Sequence, residues 1–267
     1  MNKKSKSTLE KMENILRVRN FSEHTIRIYI HYTGVFLSKF KKDPYHISKK
    51  EAEQFLISYP YTSVSNQNQV ISSVKMFFRV IAGTKLKLKI TRPRKEKKLP
   101  RVIESEFLKT RIKSIRNKKH KAILWLAFST GMRVSEVINL NIKDLDNRRM
   151  LITIVNGKGK KDRIVPLSVG TLEVLREYVK EHKPYLKMFN GQNNLLYSAS
   201  SCNKLVKKYI GEEYSFHSLR HAAFTYMLDN GTDISIIQKL AGHKSHKTTS
   251  IYTHLTTKTI NQAQLAL

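Results

Sequence analysis

One cysteine, Cys202, stands among 267 residues, so neither an internal disulfide nor a thiolate metal cluster can be built. No apolar run is long enough to span a bilayer, and no lipidation motif occurs. The start, Met1 to Thr8, is basic but leads into Leu9-Glu10-Lys11 and not into an apolar segment, so it does not read as a secretory signal. There is no internal repeat, no low-complexity tract and no G-x-x-x-x-G-K-S/T phosphate loop. The expectation from these absences is a cytoplasmic protein with no membrane partner and no nucleotide-driven step. Acidic residues are also scarce: 20 Asp and Glu face 50 Lys and Arg, a formal charge of +30.

What is there explains that imbalance. A hydrophobic fraction of 40% is enough to build real cores, so the chain is not a disordered basic tail. Self-repulsion from such an excess is costly unless an acidic partner offsets it. Nucleic acid is the commonest such partner, because Lys and Arg displace condensed counterions from phosphates, with a membrane surface as the rival. The excess is spread evenly, +15 in residues 1–100 and +15 in residues 101–267, so it is not a localisation tag in one block.

Periodicity divides the chain into a helical part and a mixed part. Leu9, Met12, Ile15 and Leu16 recur at helical spacing. Ser22 and Ser48 are placed to cap a second and a third helix, and Val64 to Ile81 reads as a fourth. The unit expected over residues 1–84 is a compact all-α, DNA-binding domain. Residues 85–100 carry charge and two prolines, Pro93 and Pro100, and read as an extended basic linker. Residues 101–267 read as a mainly α domain with a small antiparallel sheet. Ser105 or Glu104 opens a helix, and an apolar helix through Ala122 to Ser129 ends at Gly131. Met150 to Val155 and Asp162 to Pro166 flank a hairpin signal at Asn156-Gly157-Lys158-Gly159. Helices return near 171–181, 200–210, 217–230, 234–240 and 246–254.

The polar residues inside these helices suit attack by a phenol oxygen on a phosphodiester. A tyrosine with a pKa near ~10 must lose its proton as it attacks. Negative charge gathers on two non-bridging oxygens, and planar guanidinium groups stabilise it best. The leaving alkoxide needs a proton from a general acid. Arg133 and Arg220 are candidates for holding that charge and Lys158, at the predicted hairpin tip, for the general acid. His217, His221 and His243 offer donors or acceptors near neutral pH. Tyr252 follows His243 by nine residues. His217 and His221 could face a metal from one helix side, but Ser218 stands where a metalloprotease motif needs Glu, and Arg220 would set a cation beside the metal. No metal or cofactor is expected.

The set resembles the tyrosine recombinase (phage integrase) family, within it the Xer-like and simple integrase members. Thr130-Gly131-Met132-Arg133-Val134-Ser135-Glu136 resembles the family's first arginine motif, and Gly157 to Leu167 its β-hairpin lysine motif. His217-Ser218-Leu219-Arg220-His221 resembles the H-x-L-R-H box. Leu240-Ala241-Gly242-His243 and Ile251-Tyr252 stand at the final histidine and nucleophile positions. The resemblance spans nearly the whole chain and implies an N-terminal core-binding, SAM-like domain before the catalytic domain, closing as a C-shaped clamp on DNA.

It implies that Tyr252 forms a 3′-phosphotyrosyl link and releases a 5′-hydroxyl. Arg133 and Arg220 would hold the non-bridging oxygens, His217 and His243 would complete the pocket, and Lys158 would be the acid. Glu136 and His221 would orient or tune it. Four protomers would act on paired sites, with a second recombinase or accessory protein as a further partner, and Thr257 to Leu267 would form a tail helix given to a neighbour. Two alternatives stay open from sequence: a type IB topoisomerase-like relaxing enzyme, and a DNA-binding regulator with a decayed site. The chain is shorter than typical Xer proteins, and nothing before residue 7 resembles an arm-binding domain.

Overall fold

The computed structural model describes residues 3–86, 103–155, 162–191 and 196–242. The chain separates into two compact units, Met1–Lys98 and Leu99–Leu267. Most of the expected linker, the hairpin tip at 156–161 and everything from His243 onward, including the expected 246–254 and tail helices, lie outside the described residues.

In the first unit four helices form where serine caps and apolar spacing predict them: α1 (Lys3–Val18), α2 (Glu23–Ser38), α3 (Lys49–Ser58) and α4 (Val64–Val80). The Ser22 hydroxyl accepts the Thr25 N–H at 3.3 Å. Ser48 makes a full capping box: its hydroxyl accepts the Glu51 N–H at 3.2 Å, and the Glu51 carboxylate accepts the Ser48 N–H at 2.9 Å. Two orphan donors at the start of α3 are thereby satisfied. Thr33 and Ser73, both buried, let α2 and α4 approach closely, with the Thr33 hydroxyl donating to the Ser73 carbonyl at 3.4 Å. Phe36 is the centre of this core. Its ring lies 5.1 Å from Phe55, 5.3 Å from Phe40 and 5.6 Å from Phe77, each edge-on, the geometry that ring quadrupoles favour.

The second unit is built around α6 (Lys118–Thr130), a helix apolar on nearly every side. Ala122, Ile123, Leu124, Leu126, Ala127 and Phe128 are all buried, as expected of a helix surrounded by others. Around it stand α5 (Ser105–Lys113), α7 (Val134–Asn139), α8 (Val169–His182), α9 (Ala199–Tyr209) and α10 (Phe216–Asp229). The last described helix, α11 (Ile234–Ala241), packs on α10 through Phe224, Ile237 and Ala241.

The sheet is antiparallel in the order β1-β2-β3, with β1 at Leu145–Asp146, β2 at Leu151–Ile154 and β3 at Arg163–Pro166. The short β1 has no sequence signal of its own; it forms by pairing with β2. In the β2–β3 register Ile152 faces Val165 and Ile154 faces Arg163. Ile152, Ile154 and Val165 are buried while Ile164 is exposed. Alternation therefore turns Arg163, an isoleucine's cross-strand partner, toward the inner face. The architecture is an all-α N-terminal domain joined to a mixed α+β domain with one small antiparallel sheet.

Replacing Phe36 by Ala removes the ring on which four others converge. The first unit should lose about 3–5 kcal/mol of stability. Urea unfolding of the full chain monitors this, and an unmoved midpoint would remove Phe36 from the centre of the core.

Candidate active site

The site begins where α6 stops. Gly131 takes the left-handed conformation at φ 65° and ends the helix, its N–H returning to the Ala127 carbonyl. A side chain is also excluded by space, since a Cβ here would lie 2.6 Å from Phe224 Cε1. The turn aims the Gly131 carbonyl at α10, where Arg220 Nη1 donates to it at 2.5 Å. Two residues on, Arg133 precedes α7 in extended conformation, and Glu136 reaches back from the third helical position to accept the Arg133 N–H at 2.7 Å.

Three guanidinium groups then gather at the end of α11. The Ala241 carbonyl accepts from Arg220 Nη2 at 2.6 Å and from Arg133 Nη2 at 2.9 Å. The neighbouring Leu240 carbonyl accepts from Arg163 Nε at 2.8 Å. The last carbonyls of a helix have no intrahelical partner and carry its partial negative charge, so this end is suited to cations. Gly242, left-handed at φ 60°, closes the helix. Arg220 is only 1% exposed and also lies over the Phe224 ring, 4.7 Å from its centroid.

Glu136 is the carboxylate within this cluster. It pairs with Arg163 through two bonds, Nη1 to Oε1 at 2.7 Å and Nη2 to Oε2 at 2.6 Å, and with Arg133 Nη1 through one, at 2.8 Å. Burial alone would push its acidity down, but the Arg163 and Arg133 hydrogen bonds outweigh burial and hold its pKa at about 2. Glu136 thus serves both as the helix-start acceptor and as the counter-ion of two arginines.

His217 and His221, one turn apart on α10, stand edge to face with ring centroids at 4.5 Å. Desolvation by surrounding protein, then the charges of Arg220 and Arg133, lower the pKa of His217, which still reaches solvent at the rim. Burial, with His217 and Arg220 adding to it, takes His221 down to about 4. Both shifts favour the uncharged imidazole, a hydrogen-bonding group and not a cation.

Of the residues singled out in the sequence, Arg133, Glu136, His217, Arg220 and His221 come together here. Lys158, His243 and Tyr252 lie outside the described residues. Arg163 was missed. It stood in the quoted hairpin motif, but an arginine that opens a strand looks solvent-facing until the strand's register is known.

The phage integrase family model matches residues 101–259, and the model for the phage integrase N-terminal SAM-like domain matches residues 8–88. The chain belongs to the phage integrase family of tyrosine recombinases. It is 35% identical to the tyrosine recombinase XerA of Pyrococcus horikoshii over 96% of this chain and 91% of that one. Among solved structures it is similar to XerA recombinase, with 27% identity, 96% of each chain covered and a TM-score of 0.57. It is also similar to XerH site-specific recombinase in a pre-cleavage complex with difH, at 25% identity and a TM-score of 0.69, covering 86% of this chain and 76% of that one. Within the family it is Xer-like.

Two outcomes follow from the geometry. A carboxylate whose folded pKa lies at about 2, below its ordinary 4.5, contributes stability that is present above pH 4.5 and lost as pH falls toward 2. Glu136→Gln should flatten the fall of stability across that window and destabilise the chain at pH 7 by about 3 kcal/mol, because two largely enclosed cations lose their counter-ion. Denaturation midpoints from pH 2 to 7 measure both effects. Gly131→Ala should lower the melting temperature and weaken catalysis together, since the new methyl displaces Phe224 and the carbonyl that holds Arg220; a melt identical to wild type would refute this account.

Proposed function

We infer that this chain is a site-specific DNA recombinase that cuts and rejoins strands through a phosphotyrosyl intermediate. The observation that carries this reading is the pair Arg133 and Arg220, fixed side by side on the single carbonyl of Ala241. Two neighbouring guanidiniums match the two non-bridging oxygens of a phosphodiester in geometry and in charge. Similarity to Xer recombinases through both domains supports recombination over free relaxation of supercoils.

The phenol oxygen of Tyr252 attacks the scissile phosphorus, forming the Tyr–O–P bond as the bond from phosphorus to the 5′-oxygen breaks. Lys158 gives its proton to that leaving oxygen. His217, whose surroundings favour the neutral imidazole, is able to take the phenol proton. His243 completes the pocket, while His221 and Glu136 orient it. Rejoining runs the same steps backward with the 5′-hydroxyl of another strand, so no nucleotide or metal has to supply energy. Residues 1–84 and 101–267 would be the core-binding and catalytic domains, joined by the basic segment 85–100. The partner is double-stranded DNA; four protomers would assemble on two sites, with a second recombinase or accessory protein as a further partner. No described helix is long and apolar enough to cross a membrane; the DNA that the chain would act on lies in the cytoplasm.

Sheared genomic DNA from the encoding organism, incubated with the protein and captured as covalent adducts, yields the site on sequencing. On a nicked suicide duplex of that site, wild type should accumulate a covalent protein–DNA product. Tyr252→Phe should bind the duplex but form none, and an adduct that survives this change would sink the assignment. Lys158→Ala should slow cleavage by about 100-fold or more, and a 5′-thiol leaving group, which needs no proton, should restore it. The same rescue pattern in Lys160→Ala would move the acid to that residue.

A further inference from the structure

Arg163 is engaged along its whole guanidinium edge, yet it has no place in the chemistry above. Its two-bond pairing makes it the principal counter-ion of Glu136, while the Arg133 guanidinium contributes a single bond of 2.8 Å to the same carboxylate. The side chains of Arg163 and Glu136 are 10% and 5% exposed, so solvent screens the pair little. Its Nε bond to Leu240 ties it in addition to the helix end that holds Arg133 and Arg220.

We propose that Arg163 is a positioning residue for strand cleavage, acting on the scissile phosphate through Glu136 and Arg133. The proposal rests on the reading of Arg133 as a phosphate ligand. Two physical consequences follow from the arrangement. The first is geometric. A carboxylate and a guanidinium left alone close into a two-bond fork. With Arg163 already holding both Glu136 oxygens, the Arg133 guanidinium meets the carboxylate through Nη1 only, and its Nη2 stays on Ala241 beside Arg220. Without Arg163, Glu136 would draw Arg133 into the fork and away from that carbonyl. The second is electrostatic. A one-to-one Arg133–Glu136 pair is neutral as seen by an approaching phosphate. Arg163 balances the carboxylate, so the charge of Arg133 remains available to the developing dianion.

The rival account is that the ion pair merely fastens β3 to α7. A mutant cycle separates the two. Arg163→Lys keeps the charge but cannot form the fork, and Arg163→Gln removes the charge; each is made in the wild-type and in the Arg133→Ala background. Single-turnover adduct formation is measured on the suicide duplex at saturating protein, alongside duplex affinity and the melting curve. In the wild-type background each change should slow adduct formation by roughly 10- to 100-fold with duplex affinity retained, as expected for a displaced catalytic group.

In the Arg133→Ala background the same changes should alter the rate by less than about 2-fold, the sign of a shared pathway. Equal slowing in both backgrounds would overturn the proposal, as would an unchanged rate in the wild-type background. Loss of the folded state in both Arg163 variants would also overturn it, since the ion pair would then be a structural fastening. If wild type itself forms no adduct, it is the recombinase reading that fails.

Discussion

The second domain depends on how several positive charges are kept together inside protein. Two unit charges about 4 Å apart repel by roughly 4 kcal/mol at the effective dielectric near a protein surface. Arg133, Arg163 and Arg220 would not share one place without fixed negative partners. Two kinds of partner are supplied: the Glu136 carboxylate, and the Leu240 and Ala241 carbonyls at the end of α11. The carbonyls carry only partial charge, so they hold the guanidiniums without cancelling them. Among the described residues the site holds three cations against one anion, an excess that suits a phosphate.

This solution needs four stretches of chain that are far apart in sequence. The turn at Gly131, the first residue of β3, one face of α10 and the last residues of α11 must all arrive within hydrogen-bond distance. The buried helix α6 makes that possible, since α5, α7, α8, α9 and α10 all pack against it. Its left-handed end then places a carbonyl and an arginine at once. The Phe224–Ile237–Ala241 contact completes the arrangement by seating α11 on α10. The result is rigid in the sense that matters for catalysis: charges that must meet a transition state are held before the substrate arrives.

Much of the fold could be read from residues alone, because its signals are local. Ser22 and Ser48 cap the helices they precede, and the α6 apolar run stops at the glycine that stops it in the structure. Gathering Arg133, Glu136, Arg220 and the two histidines was legible through motif order, and the structure brings these five together. Lys158, His243 and Tyr252 remain readings of the sequence. Arg163 and β1 were not legible. Two residues of β1 carry no periodicity of their own, and which side of β3 faces inward depends on its register with β2.

From its sequence this chain was determined to be a basic, helix-rich protein with the motif order of a tyrosine recombinase, since charge, caps and motif spacing are properties of residues and their neighbours. Only the tertiary structure decided which arginine neutralises Glu136, and that one helix end gathers all three guanidiniums. Those outcomes turn on strand register and helix packing, where a shift of one residue in β3 would exchange Arg163 for Ile164 on the inner face.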